Sequence, residues 1–184
     1  MGHVLLDQVI YTDYGQFDLV WSDGAGFDGN WSRFFDGQLN GWVGAADPGG
    51  VYVNLARPFG GSRVRIVRHD AEPPPAAPRF EDVVEVSVTV PAGAQVQWTS
   101  WAGEAGGPVA LAPGEYRLRV GAHGRDADDD DEFQDAIVDD YLLEFWAAGP
   151  RPDEVIRAES QNGQYWHREV GGRRTCRHRR LPAG

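Results

Sequence analysis

Hydrophobic and polar residues alternate through residues 83–121, and this alternation predicts a block of consecutive β-strands. In residues 83–90 valines alternate with polar or charged side chains, which is the period of two of a half-buried strand. The same period returns around Trp98 and in residues 115–120, with turns rich in proline and glycine between the runs. Such a block pairs locally and presents a wide apolar face for other strands to cover.

The rest of the chain carries shorter segments of the same kind. Further strands are predicted at residues 4–10, 16–21, 41–46, 51–56, 62–68 and 141–147. Residues 71–82 are rich in proline, which cannot donate to a β-ladder, so this segment is predicted to cross between sheets. The pattern predicts an all-β fold: an antiparallel β-sandwich of about 8–10 strands with long loops and at most a short C-terminal helix, near residues 150–160.

The 184 residues are enough for one domain with a substantial core and too few for two large ones. We predict a single β-sandwich domain over residues 1–160, with an acidic loop at residues 125–140. Residues 161–184 are rich in arginine and are predicted to be a basic, disordered C-terminal tail.

The formal net charge of -11 is distributed unevenly along the chain. Residues 1–166 hold 11 arginines against 27 aspartates and glutamates, whereas residues 167–184 hold six arginines and one glutamate. An acidic body disfavours binding to nucleic acid and to anionic membranes, and it favours a basic protein partner through long-range attraction. The alternative interpretation is that the excess charge only keeps the protein in solution.

The expected location is the cytoplasm. A single cysteine, Cys176, excludes an intrachain disulfide and gives no sign of an oxidising compartment. The N-terminal segment lacks the basic region of a secretory signal, and Asp7 interrupts its apolar stretch. No apolar run approaches the ~18–20 residues that cross a bilayer, so no membrane contact is predicted.

The sequence lacks the motifs that support catalysis. There is no Gly-x-Ser-x-Gly nucleophile motif and no glycine-rich phosphate loop between a strand and a helix. The histidines do not have the spacing of metal ligands, so neither a metal site nor a cofactor is predicted. We therefore expect a protein that is not an enzyme.

Residues 125–140 form the most biased segment of the chain. Their closely spaced carboxylates repel one another, which predicts a mobile loop or the tip of a hairpin. A calcium loop that begins at Asp128 would need glycine where Phe133 stands, so calcium binding is disfavoured. The carboxylates could instead imitate a phosphate backbone for a basic cleft, or they could form a solvated loop without a partner.

A second biased segment, residues 22–41, combines loop-forming residues with several aromatic side chains. Loops of this length are often functional or are held down by their own side chains. The aromatic residues therefore either dock onto the sandwich or form part of a partner surface. From both segments we take as candidate partner contacts Asp126, Asp128, Asp129, Asp130, Asp131, Glu132, Asp135, Trp31, Phe34 and Phe35.

The alternative function is that of a module that binds a small ligand or a carbohydrate. Trp31, Trp98 and Trp101 would then serve as stacking platforms on a face of the sandwich. This hypothesis requires that the three indoles are exposed and coplanar rather than buried.

Four short stretches carry a resemblance to a known family: YGQFDLVW at residues 14–21, GAADPGGVYVNLAR at 44–57, VEVSVTVP at 84–91 and LAPGEYRLRV at 111–120. Through them, residues 4–125 resemble competence protein J, a small bacterial family known as an inhibitor of a DNA-entry nuclease. The resemblance implies a compact all-β inhibitor that binds a nuclease and has no catalysis of its own. The acidic composition is compatible with this, since nuclease clefts are commonly basic. The leading hypothesis is a nuclease inhibitor or immunity-like protein.

Overall fold

The computed structural model describes residues 2–127 and 136–172. Within these ranges the strands are β1 (Gly2–Tyr11), β2 (Gln16–Val20), β3 (Val43–Gly44), β4 (Gly50–Asn54), β5 (Gly61–His69), β6 (Asp82–Val90), β7 (Val96–Ser100), β8 (Gly106–Val109), β9 (Gly114–His123), β10 (Asp140–Ala147) and β11 (Glu154–Ala158). The helical elements are α1 (Trp31–Phe35), a 3₁₀ turn (Trp101–Gly103) and α2 (Gln161–Glu169). No described helix is long and apolar enough to cross a membrane.

The strands form two sheets whose order brings distant parts of the chain together. The six-stranded sheet has the order β1-β5-β10-β9-β6-β11, and the five-stranded sheet has the order β3-β4-β2-β7-β8. Strands β5 and β10 pair in parallel, with Val64 opposite Tyr141, whereas the other described pairs are antiparallel. The predicted all-β sandwich is confirmed, with slightly more strands than expected and one parallel pair.

One face of each sheet turns towards the other sheet and forms the core. Phe17 and Leu19 of β2, Val84 of β6, Leu118 of β9 and Phe145 of β10 are fully buried. They belong to a single apolar cluster that draws on both sheets. Burying a side chain of this size stabilises the fold by about 1.5–3 kcal/mol, so this cluster is the main source of stability.

The outer face of the six-stranded sheet buries charged side chains instead of exposing them. The Glu85 carboxylate accepts hydrogen bonds from Nε of Arg117 at 2.9 Å and from Nε of Arg119 at 2.8 Å. These three side chains are at most 6% exposed. Each arginine also donates to a covering segment, Arg117 to the carbonyl of Pro152 and Arg119 to that of Pro74.

The proline-rich connection therefore has a different course from the one predicted. It joins β5 to β6, which lie in the same sheet with β10 and β9 between them. The segment thus runs over the outer face of that sheet, and its carbonyl oxygens satisfy the buried guanidinium of Arg119. The prediction of a crossover between the two sheets was wrong. Its physical basis, the inability of proline to join a ladder, still explains why the segment lies outside the strands.

The C-terminal region departs from the prediction at two points. Residues 154–158, where a short helix was expected, form the edge strand β11 on β6. Residues 161–169, expected to belong to a disordered tail, form helix α2, which begins where Ser160 Oγ accepts the Gly163 N–H at 2.8 Å. The remainder of the expected tail, residues 173–184, lies outside the described residues.

Gly41 lets α2 lie close to the loop before β3. A Cβ atom at this position would stand 1.9 Å from the carbonyl oxygen of Trp166. Gly41→Ala is therefore expected to lower the free energy of unfolding by about 1–3 kcal/mol, because the helix must move away from the sandwich. Urea unfolding measures this change. Gly149→Ala, where no atom lies within 4 Å of the added Cβ, is the control, and equal stability of both variants would contradict the docking of α2.

Candidate functional site

The loop of residues 22–41 covers the outer face of the five-stranded sheet. Phe34 and Phe35 of α1 are fully buried and form a second apolar cluster with Tyr52 of β4 and Val170. The aromatic residues of this loop were expected either to dock onto the sandwich or to form a partner surface, and Phe34 and Phe35 dock onto the sandwich. Phe34 and Phe35 therefore offer no surface to a partner, and their choice as candidate contacts was wrong.

A buried carboxylate holds this loop to the sheet. Asp18 of β2 is 1% exposed; its Oδ1 accepts the Phe27 N–H at 3.2 Å and its Oδ2 accepts Nε2 of Gln16 at 2.6 Å. Gln16 Nε2 also donates to the Phe27 carbonyl at 3.1 Å. Burial raises the pKa of Asp18 to about 6 because the charged carboxylate loses its hydration, and the hydrogen bonds oppose this shift.

A groove of about 510 Å³ opens beside the loop on the same face. We call it the aromatic groove, because six aromatic side chains line it: Tyr14, Phe27, Trp31, Tyr52, Trp101 and Trp166. Its polar lining includes Gln16, Asn54 and Asp28, and no lysine or arginine is among the described residues that line it. The Asp28 carboxylate is 3.1 Å from Nη1 of Arg33, which does not line the groove. This ion pair partly compensates the charge of Asp28.

Two residues of the aromatic groove have a left-handed backbone. Tyr14 has φ of 57° and Ala102 has φ of 52°, and the described part of the chain contains no other non-glycine residue with positive φ. Such a conformation costs on the order of 1–3 kcal/mol and is typical of functional sites. Gly15 adds to the constraint, since a Cβ there would lie 2.1 Å from the Leu55 carbonyl oxygen. The turn before β2 thus passes tightly against β4 and leaves Tyr14 62% exposed.

The rings of the groove contact one another in two separate groups, one of Phe27, Trp31, Tyr52 and Trp166 and one of Tyr14 and Trp101. Trp31 stacks on Trp166 with 5.2 Å between ring centroids, and Tyr14 is tilted by 48° against Trp101 at 5.3 Å. Trp98 lies in the core against Phe17 and is buried. The three tryptophans considered as stacking platforms therefore do not form a common exposed face.

A buried arginine connects the groove with α2. The Arg125 side chain is 0% exposed, and its Nε lies 3.3 Å from Oδ2 of Asp82. Its Nη1 donates to the Asn54 carbonyl at 2.8 Å and its Nη2 donates to Oδ1 of Asn162 at 2.7 Å. The guanidinium also lies over the Trp42 ring, 4.5 Å from its centroid. One side chain thus ties β4, β6 and α2 together.

Among the acidic candidate contacts, Asp126 lies within the described residues. Its carboxylate accepts the N–H of Gln161 at 2.7 Å and that of Asn162 at 2.9 Å, so it caps the first turn of α2. The other acidic candidates lie outside the described residues: Asp128, Asp129, Asp130, Asp131, Glu132 and Asp135. Their role as partner contacts stays a prediction.

The described histidines have structural contacts. His69 Nε2 is 2.9 Å from a Glu144 oxygen, and His167 Nδ1 accepts the Gly41 N–H at 3.1 Å. Burial lowers the pKa of His167, which keeps its ring neutral and able to accept this bond. Within residues 2–127 and 136–172, no group of three histidine, cysteine, aspartate or glutamate side chains is placed to hold a metal ion.

Tyr14 and Trp166 are groove residues that the sequence pattern did not single out. Tyr14 precedes Gly15 in a turn, but its left-handed backbone follows only from the packing of that turn on β4. Trp166 was assigned to the tail with no role. Serine is a favoured N-cap residue, and the Ser160 side chain accepts the N–H of Gly163 three residues later. Ser160 is therefore the local signal that would have predicted a helix containing Trp166.

Comparison with known proteins bears on the fold. No protein-family model matches the chain, and no curated protein gives a significant match. Among solved structures, the chain is similar to ComJ from Bacillus subtilis, an inhibitor of the DNA-degrading activity of NucA, with a TM-score of 0.58 and 18% identity over 80% of this chain and 99% of ComJ. It is also similar to the product of crocagin biosynthetic gene J, with a TM-score of 0.50 and 13% identity over 81% of this chain and 99% of that protein.

The chain thus has the all-β sandwich fold of ComJ. This confirms, for the fold, the resemblance to competence protein J that its four sequence stretches carry.

The buried carboxylate of Asp18 leads to a prediction about pH. Between pH of about 4 and about 6 the folded protein keeps the Asp18 proton while the unfolded chain loses it, so the contribution of Asp18 to the free energy of unfolding falls as pH rises. Asp18→Asn is expected to remove this contribution from the pH slope and to raise the free energy of unfolding at neutral pH by about 1–3 kcal/mol.

Urea unfolding at several pH values across this range measures both effects. Asp23→Asn changes an exposed carboxylate of the same loop and serves as the control. An unchanged pH slope in Asp18→Asn would show that the carboxylate is not buried as described.

Proposed function

We propose that this protein is a non-catalytic inhibitor that binds a nuclease. The observation that carries the proposal is the likeness to ComJ, which extends over 99% of that inhibitor's chain. One fold can serve unrelated functions, so the chemistry of a chain must agree with the function that its fold suggests. In this chain, charge and buried ion pairs agree with it.

The charge of the chain supports a basic protein partner. Its net charge is -11, and the excess lies in residues 1–166. A protein of this charge attracts a basic cleft over long distances and accelerates the encounter, most strongly at low ionic strength. We assign this attraction to the whole acidic body, with the carboxylates of residues 126–135 as its densest part, and we place the protein in the cytoplasm.

Two buried carboxylates, Glu85 and Asp82, have a structural rather than a catalytic role. Glu85 lies between Arg117 and Arg119, and Asp82 faces Arg125. Each of these carboxylates is held by fixed cationic partners inside the fold, where it stabilises the packing of segments. A general acid or base needs access to a substrate.

The direct test is inhibition of DNA degradation. The full-length chain would be titrated against a nuclease from the same organism that resembles NucA, with an unrelated protein of similar charge as the control. We expect stoichiometric inhibition by this chain and none by the control. Full nuclease activity, together with no heat of binding in calorimetry, would overturn the proposal.

A second candidate function is the binding of a small ligand. The aromatic groove favours it, since its volume of about 510 Å³ lies in the range of ligand pockets, about 300–1,000 Å³. Thermal stabilisation by members of a carbohydrate and metabolite library, without any effect on nucleases, would favour this function instead.

The acidic segment is expected to govern the rate of association. Replacing Asp128, Asp129, Asp130 and Asp131 by asparagine should slow association with the nuclease several-fold at low ionic strength and flatten its salt dependence. Stopped-flow kinetics at low and high salt measure this effect. The control neutralises four exposed carboxylates elsewhere, namely Glu72, Glu115, Glu154 and Glu159. An unchanged association rate in the aspartate variant at every salt concentration would contradict steering by this segment.

A further inference from the structure

The aromatic groove has the chemistry of a site for a positively charged side chain. Six aromatic rings and one carboxylate line it, and among the described lining residues no basic side chain is present. A guanidinium or ammonium group over the face of such a ring is attracted by the π-electrons, most strongly over tryptophan. An anion would meet no countercharge here.

The protein already pairs arginines with aromatic rings elsewhere. In the described structure, arginines lie over Phe34, Trp42, Phe80, Tyr141, Trp146 and Tyr165. None of these rings lines the aromatic groove. No arginine of the described residues therefore lies over a ring of the groove, and the faces of these rings are not already occupied by an internal cation.

The rings at the mouth of the groove are exposed and held in place. Tyr14 is 62% exposed, and it contacts Trp101 on one side and Phe59, which is 43% exposed, on the other at 5.9 Å. Tyr14 and Ala102 have a left-handed backbone in the two turns that carry these rings, and the close backbone approach at Gly15 restrains the first turn. Tyrosine and tryptophan side chains that are at least partly exposed, such as Tyr14 and the half-buried Trp101, lose little entropy on binding when they are held in place, and they are typical anchors of protein interfaces.

The arrangement of the rings does not favour a sugar. A sugar ring stacks on a flat exposed face, but Trp31 and Trp166 stack on each other and Tyr14 is tilted by 48° from Trp101. A cation tolerates this arrangement, since its attraction to several tilted rings adds up.

We propose that the aromatic groove receives an arginine or lysine side chain of the protein partner, and that Tyr14 and Trp101 are the contact rings. The identity of the partner rests on the proposed function. The preference of the groove for a cationic side chain does not, so the two can fail separately.

The first experiment uses a peptide and no nuclease. A short glycine–arginine–glycine peptide would be titrated into the ¹⁵N-labelled full-length chain, with the citrulline peptide as a neutral control of the same shape. We expect the arginine peptide to shift the indole N–H signals of Trp101 and Trp31, and the citrulline peptide to bind at least about tenfold more weakly. Equal responses to both peptides, or no shift with either, would overturn the proposal.

The second experiment changes the rings. Trp101→Leu keeps an apolar side chain without a π face, Trp101→Phe keeps a ring, and Tyr14→Asn removes the ring while tolerating the left-handed backbone. Tyr11→Leu, at an exposed tyrosine that does not line the groove, is the control. We expect Trp101→Leu and Tyr14→Asn to weaken both peptide binding and nuclease inhibition about tenfold or more, Trp101→Phe to weaken them less, and Tyr11→Leu to leave them unchanged.

The outcomes separate the two proposals. If the wild-type chain inhibits the nuclease and Trp101→Leu inhibits it equally well with an unchanged unfolding midpoint, the groove is not the contact and only the proposed function stands. If the wild-type chain prefers the arginine peptide but inhibits no nuclease, the inference about the groove stands and the proposed function fails.

Discussion

The buried guanidinium of Arg125 is the contact on which the placement of the C-terminal helix depends. It faces Asp82, whose carboxylate also accepts the N–H groups of Glu159 and Ser160. Removing one member of a buried ion pair costs about 3–5 kcal/mol, because the remaining charge is left without a partner. The same arginine donates to the carbonyl of Asn54, which lines the groove at the end of β4. Arg125 therefore holds β4 and α2, the helix that carries Trp166, in a fixed relative position.

Each outer face of the sandwich is covered by chain segments that buried polar side chains hold in place, but the side chains differ between the two faces. On the six-stranded sheet, Glu85 and its two arginines are covered by segments whose carbonyl oxygens accept hydrogen bonds from Nη1 of each arginine. On the five-stranded sheet, Asp18 ties down a loop whose phenylalanines fill the space above Tyr52. The cover of the second face is incomplete, and the aromatic groove lies where it ends. Because residues 22–41 cover only part of the five-stranded sheet, rings of the aromatic groove are left exposed beside them.

The strands with clear alternation could be predicted from the sequence, because β6 and β9 alternate apolar side chains, which face the core, with polar ones. The burial of their polar face could not, since it depends on distant segments that cover Glu85, Arg117 and Arg119. The C-terminal elements could not. In the segment where a short helix was expected, near residues 150–160, the Asp153 carboxylate accepts the N–H groups of Leu39 and Asn40, more than a hundred residues away. Helix α2 buries only Gly163 fully, and it is held by capping, by the packing of Trp166 and by close backbone approach at Gly41. Contacts of this kind leave no periodic pattern.

We propose that the protein contacts a nuclease with the end of the five-stranded sheet that carries the aromatic groove. Hydrogen exchange of the full-length chain, with and without the bound nuclease, would locate this contact. We expect protection of backbone amides in residues 12–17, 27–31 and 99–106, which carry four of the six groove rings. Protection confined to the edge strands β1 and β11, with unchanged exchange in these three segments, would contradict it.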